Sequence, residues 1–319
     1  MELKFTKMHG CGNDYIFIDC LGMAGKGQTP CSDTRQVSLP NFRQSHLSGP
    51  GHEKAAAMLL ASPETFSRAL SDRHKGVGGD GLVFITQSQI ADAGMRMFNS
   101  DGSEGGMCGN AIRCVAKYLY DNGIVEKTQM QIETASGVRE LVCITEGGPV
   151  TGVRVNMGRA ELSPDKIPVR LRGENIISRP INFGGAEYGI TCVSMGNPHA
   201  VIFYPDIVNL DLRNIGPVVE NDPLFPDRAN VEFVKVINNR LLDMRVWERG
   251  SGETQACGTG ACAAAVAAAL NGYCAKGADI TVRLPGGDLL INYTDDAVYM
   301  TGNCVKTFEG TVEIHTDIM

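Results

Sequence analysis

The stretch beginning at Met95 repeats itself 149 residues further on. Met95-Arg96 falls on Met244-Arg245, Glu104 on Glu253, Cys108-Gly109 on Cys257-Gly258, Ala116 on Ala265 and Asn122-Gly123 on Asn271-Gly272, without a gap. At the same offset, Gly81 to Ile85 falls on Asn230 to Val234. A repeat of this span means two copies of one structural plan, and it limits the fold before any element is assigned. A second pair, Gly12-Asn13 against Gly196-Asn197, is 184 residues apart, an excess of 35 that places an insertion in the first half between Asn13 and Gly81. The Gly-, Ser-, Pro- and Gln-rich run from about Gly22 to Gly51 predicts a long surface loop. His52 to Leu60 and Pro63 to Leu70 predict helices, so the insertion covers about 22–69.

The length of 319 residues also fits about two domains. Hydrophobic residues make up 43% and charged residues 20%, the balance of a globular chain with a sizeable core. With a net charge of -7 and no basic block, nucleic acid and anionic membranes are excluded as main partners. The first residues lack the apolar core of a signal peptide, and Ala263 to Leu270 is too short to span a bilayer. Eleven cysteines, an odd number with no C-x-x-C pair, argue against a disulfide framework or a structural zinc site. A reducing cytoplasm is the expected compartment.

Both copies follow one local pattern. An apolar strand, Gly94 to Phe98 or Leu241 to Trp247, leads into a polar glycine loop, and Cys-Gly then opens a helix. The helices are expected from about Asn110 to Asp121 and from about Thr259 to Leu270, each ended by Asn-Gly as a left-handed cap. Strands are expected at Gln129–Thr134, Val138–Ile144, Val150–Met157, Thr281–Leu284, Leu289–Tyr293 and Ala297–Thr301. The class is mixed α/β with one buried helix per half. The halves divide as 1–152 plus 303–319, and 153–302.

Cys108 and Cys257 stand where a helix presents unpaired backbone N–H groups, and the positive end of its dipole favours thiolate. That position predicts a thiol titrating below its ordinary range, near neutrality. Most free cysteines only fill space. Two in register across a repeat, each in a Glu-x-x-x-Cys-Gly context, argue for a working pair. Inverting a stereocentre by proton transfer needs a base on one face of a carbon and an acid on the other, and a thiolate and a thiol can exchange those roles. The nearby helix starts could hold a substrate carboxylate. Gly76 to Gly81 is glycine-rich but lacks the spacing and setting of a dinucleotide fingerprint.

Several segments resemble the diaminopimelate epimerases, amino-acid epimerases that work without pyridoxal phosphate. They are Lys7 to Tyr15, Asp72 to Gly81, Phe98 to Cys114, Met195-Gly196-Asn197-Pro198-His199, Asn230-Val231-Glu232-Phe233 and Trp247 to Gly260, in family order over nearly the whole chain. The resemblance implies two pseudo-symmetric α/β halves, each a sheet or barrel wrapped around a central helix, with the active site in the cleft between them. It implies that Cys108 removes the proton from the LL isomer while Cys257 delivers one to the opposite face. His199 and Glu248 are then support groups beside the thiols. Asn13, Asn99, Asn197, Asn230, Glu248 and Arg249, with the backbone N–H groups of Gly109, Asn110, Gly258 and Thr259, are implied to bind substrate. Neither an organic cofactor nor a metal is implied. A cytoplasmic homodimer serving lysine and peptidoglycan precursor synthesis is implied.

The chain departs from the family pattern at two places. Some relatives carry glutamine where this chain has Gly81, and the segment from about 22 to 69 is not a usual family feature. Three other readings stay open on the residues alone. One is a two-thiol racemase for another amino acid, although proline racemases read Cys-Gly-His where this chain reads Cys108-Gly109-Asn110. Another is a non-catalytic or isomerase relative on the same fold; such relatives lack the paired cysteines, which this chain has. The third is a thiol redox or metal protein, which would need close cysteine pairs. Cys11, Cys20, Cys31, Cys114, Cys143, Cys192, Cys262, Cys274 and Cys304 are expected to be structural.

Overall fold

The computed structural model describes residues 1–23 and 49–314. The chain divides into two compact units, Met1–Val155 with Asn303–Met319, and Asn156–Gly302. The expected loop from about Gly22 to Gly51 falls mostly on residues outside those described, and Cys31 lies there too.

The first unit contains β1 (Glu2–Gly10), β2 (Asn13–Asp19), β3 (Gly81–Thr86), β4 (Ala93–Asn99), β5 (Glu104–Gly105), β6 (Gln129–Thr134), β7 (Gly137–Thr145), β8 (Val150–Asn156) and β18 (Val305–Glu313). Strand β1 lies antiparallel between β18 and β2, and β2 runs parallel to β3. Antiparallel to β3, strand β4 is followed by the short β5 and then pairs in parallel with β6. Antiparallel steps from β6 to β7 and β8 complete the order.

In the second unit the elements are β9 (Arg179–Phe183), β10 (Ala186–Ser194), β11 (Pro198–Phe203), β12 (Asn230–Asn238), β13 (Leu241–Glu248), β14 (Gly252–Thr254), β15 (Asp279–Leu284), β16 (Gly287–Tyr293) and β17 (Val298–Asn303). Pairing follows the same sequence of steps: β9 to β10 to β11 antiparallel, β11 to β12 parallel, β12 to β13 antiparallel, β13 to β15 parallel, then β16 and β17 antiparallel. The repeat in the sequence is thus a repeat of topology.

Each unit holds one helix of 13 residues at the repeated position, α3 (Gly109–Asp121) in the first and α5 (Gly258–Leu270) in the second. Ala261 to Ala268 is buried without a break, so α5 has no solvent face and is enclosed by strands on all sides. Both helices stop at the Asn-Gly expected to end them, with Gly123 at φ 64° and Gly272 at φ 76°.

Beyond the one buried helix of each half, the two helices expected in the insertion form, and a further one joins the second unit. Helices α1 (Pro50–Ala61) and α2 (Pro63–Ser71) cover the first unit. Their Leu59 and Phe66, both fully buried, cluster with Ile16, Ile18, Leu82 and Phe84 from the strands. In the second unit α4 (Leu212–Glu220), which has no counterpart in the sequence reading, places Leu212 and Val219 against Ile202, Val231 and Phe233. Fully burying each such side chain is worth about 1.5–3 kcal/mol. These layers hold the strands that end at the candidate residues.

Candidate active site

Cys108 is the N-cap of α3 and Cys257 the N-cap of α5, so the register of the repeat places both thiols at the same point of the same element. Their surroundings differ. In the first unit, β2 presents Asn13 and Tyr15 on one face, because residues two apart on a strand share a side. The Tyr15 hydroxyl donates to Cys108 Sγ at 3.6 Å, and the thiol faces Asn13 Oδ1 at 3.9 Å. Asn13 is aimed by its other end, since Nδ2 donates to Asp80 Oδ2 at 3.2 Å. Asp14 lies between Lys7 at 2.6 Å and Arg73 at 2.6 Å. Burial alone would raise its carboxyl, but these two cations outweigh burial and hold it at about 2.

The remaining first-unit candidates are held in place by neighbouring groups. Asn99 donates from Nδ2 to Ser103 Oγ at 3.0 Å within its own turn. Gly109 and Asn110 open α3, and Asn110 Oδ1 accepts from Arg113 Nη2 at 2.9 Å. Gly81 pairs with Asn99, and a methyl group built on it would lie 2.0 Å from the Phe98 carbonyl oxygen. No side chain fits at Gly81 unless that backbone moves.

In the second unit the candidates form a connected set. Cys257 is 5% exposed, and its Sγ accepts from the Gly260 N–H at 3.3 Å and lies 3.5 Å from Thr259 Oγ1. Asn197 donates from Nδ2 to Thr259 Oγ1 at 3.4 Å, while its Oδ1 is 3.0 Å from His199 Nε2. Glu248 hydrogen-bonds Cys257 and accepts from Thr254 Oγ1 at 2.5 Å. Asn230 is engaged by backbone at both ends: it accepts from the Arg249 N–H at 3.0 Å and donates to the Pro198 carbonyl at 3.0 Å. It therefore ties β11, β12 and the turn after β13 together. The Arg249 guanidinium caps the Asp227 carbonyl at 2.9 Å.

One expectation needs correction. The helix start predicts a thiol shifted towards neutrality, yet burial pushes the Cys257 thiol well above its ordinary value, and Glu248 and Glu232 push in the same direction. The hydroxyl of Thr259 and the N–H of Gly260 oppose them and lose. A helix end offers partial charges, whereas this thiol is shut away beside two whole carboxylates.

The sequence reading left out Glu232, Tyr15 and Thr254. Tyr15 and Glu232 follow Asn13 and Asn230 at a spacing of two on their strands, a signal that was available. Thr254 lies on the three-residue β14, for which pattern offers little.

Glu248 supplies a test of this environment. Burial raises its carboxyl above the ordinary value, so the folded state holds that proton more tightly than the unfolded chain. Stability from this group is present below the unfolded value and is lost as pH rises through the folded one. Glu248→Gln is therefore expected to raise the thermal midpoint at pH 7 relative to the parent, with the gain fading below the carboxylate range. A lower midpoint for the variant at pH 7 would contradict this.

The model of the family described as diaminopimelate epimerase matches residues 54–163 and 191–307, more than half of the chain. The chain belongs to the diaminopimelate epimerase family. The diaminopimelate epimerase of Acetivibrio thermocellus is 45% identical over 98% of this chain and 99% of its own length. That of Desulfovibrio desulfuricans is 46% identical over 97% of this chain and 98% of its own. Among solved structures, a hydroxyproline epimerase from Agrobacterium vitis superposes with a TM-score of 0.63 at 15% identity, covering 98% of this chain and 91% of that one. At that identity the likeness shows the fold alone. The family is one of isomerases, and both N-cap thiols and the connected polar set around Cys257 lie within residues that the epimerase model matches.

Proposed function

We propose that this chain interconverts LL- and meso-diaminopimelate by moving a proton at the α-carbon. The observation that carries the reading is the pair of N-cap thiols, Cys108 and Cys257, at corresponding points of two topologically matched units. In the LL direction the Cys108 thiolate takes the α-proton: the C–H bond breaks, its electron pair stays on carbon, and an S–H bond forms. The Cys257 thiol delivers its proton to the opposite face, a new C–H bond forms, and the thiolate is left there. Nothing is oxidised or reduced, so the residues themselves meet the needs of the reaction, which calls for no organic cofactor or metal. The return direction reverses the roles.

In this reading Gly109, Asn110, Gly258 and Thr259 receive the carboxylate at the reacting carbon at the first turns of α3 and α5, where backbone N–H groups point outward along the helix axis. Stabilising charge that develops at that carboxylate lowers the barrier. Asn13, Asn99, Asn197, Asn230, Glu248 and Arg249 hold the ammonium and carboxylate groups of the substrate, while His199 and Glu248 support Cys257. The reading also takes the enzyme to be a cytoplasmic homodimer, on the strength of the family resemblance. No helix among the described residues is long and apolar enough to cross a membrane.

Reduced protein incubated with LL-diaminopimelate in heavy water tests this directly. Deuterium is expected at the α-carbon of the meso product as it appears. Failure of active, folded protein to convert or exchange LL-diaminopimelate would overturn the substrate, and proline and other amino acids would be tried next.

A further inference from the structure

One carboxylate of the second unit has no part in that mechanism. Glu232 lies on β12 and is fully buried, with Oε1 2.7 Å from Nδ1 of the equally buried His199. Its Oε2 meets no hydrogen-bond partner among the described residues. A carboxylate removed from water with half of its acceptor capacity empty is costly, and replacing such a pair by apolar groups is often neutral or better for stability. Stability therefore gives a weak reason for Glu232 to be there.

Its position gives a better one. A methyl group on Gly260 would lie 2.7 Å from Glu232 Oε1 and 3.2 Å from Cys257 Sγ, so both atoms abut the same glycine at the start of α5. The titratable groups around Glu232 are His199 from β11, Glu248 from β13 and Cys257 from the start of α5. From His199 the polar contacts continue through Nε2 to Asn197, from Asn197 to Thr259, and from Thr259 to Cys257 Sγ.

We propose that Glu232 is a positioning residue for the Cys257 half of the site: it holds a proton on His199 Nδ1, which leaves Nε2 as an acceptor, so that the Asn197 amide turns to donate to it from Nδ2 and to accept the Thr259 hydroxyl at Oδ1, and Thr259 in turn meets Cys257. The inference rests on reading Cys257 as a proton donor and acceptor. An imidazole has two neutral tautomers, and the bond made by one nitrogen decides what the other presents. Without the carboxylate the ring could turn over or change tautomer, and Asn197 and Thr259 would lose a fixed neighbour.

The experiment uses full-length protein labelled with 15N-histidine, in which His199→Gln assigns the ring among the six histidines. The parent is expected to carry a proton on His199 Nδ1, seen as a far-downfield, slowly exchanging signal. Glu232→Gln is expected to move that signal upfield and admit the other tautomer, whereas Glu232→Asp retains it. In the epimerase assay Glu232→Gln is expected to lower kcat about tenfold with KM little changed. It should add nothing further in a His199→Gln background, because both act on one unit. An unprotonated Nδ1 in the parent would overturn the proposal. So would a Glu232→Gln protein with an unchanged ring and kcat, or independent losses that multiply in the double variant. If Glu232→Gln does not fold, the parent ring spectrum decides alone. If the parent does not act on diaminopimelate, the functional reading fails while the ring measurement still answers for Glu232.

Discussion

Cys257→Ala is expected to lower epimerisation by about 10²–10⁴-fold or more, the range by which a positioned proton-transfer group accelerates a reaction. Cys108→Ala is expected to do the same. Each face of the carbon has one group assigned to it, and water is a poor substitute at a thiol only 5% exposed. The two losses should nevertheless differ in kind. Burial and the carboxylates of Glu248 and Glu232 hold the Cys257 thiol well above its ordinary value, the protonation state required of a donor in the LL direction. Cys108 is more exposed and faces a hydroxyl and an amide. Cys257→Ala, which keeps the abstracting thiol, is therefore expected to exchange the α-hydrogen of LL-diaminopimelate slowly with solvent deuterium and return it with configuration retained. Cys108→Ala should show no such exchange with the LL isomer. Chiral separation with mass detection distinguishes these outcomes. Either variant epimerising at near the parent rate would rule out the two-thiol mechanism.

Much of the architecture is legible in the sequence because it is carried by backbone requirements. The left-handed glycines after α3 and α5, the Cys-Gly helix starts and the single offset all report local geometry, which a sequence pattern encodes directly. The offset of 184 residues anticipates the correspondence of β1 and β2 with β10 and β11. Helix α4 is less visible, since Pro217 lies inside it and its apolar positions serve a face defined only by the folded sheet. The titration of Cys257 is not legible in the sequence for a related reason. The helix end is a local feature, whereas Glu232, Glu248 and the burial of the thiol come from β12, β13 and the tertiary fold. Arg113 is the extreme case, because arginine is a residue expected at the surface.

Arg113 is fully buried, and its guanidinium donates to groups around the start of α3. Nη1 donates to the Gly109 carbonyl at 3.0 Å, Nη2 to Asn110 Oδ1 at 2.9 Å and to Cys11 Sγ at 3.7 Å, and Nε to the Asn303 carbonyl at 3.2 Å. These bonds bind the first turn of α3 to the β1–β2 hairpin, where Cys11 has a φ of 52° and Gly12 a φ of 77°. Space there is tight: a methyl group on Gly10 would lie 2.8 Å from Arg113 Nη2. Two effects compete in Arg113→Met. The variant avoids the cost of burying a charge, which can favour an apolar replacement. It also removes the hydrogen bonds to Asn110 Oδ1 and the Asn303 carbonyl, and a hydrogen bond to a charged group contributes about 1.5–3 kcal/mol. The second effect should prevail, because methionine matches the length of the arginine stem but offers no donor to either acceptor. A loss of about 3 kcal/mol is expected, read as a fall of roughly 10 °C in thermal midpoint. Epimerisation should fall further than stability alone explains, because Cys108 caps this turn and Asn13 begins the next strand. An Arg113→Met protein as stable as the parent would show that relief of the buried charge dominates, and that α3 is held by the packing of its apolar side chains instead.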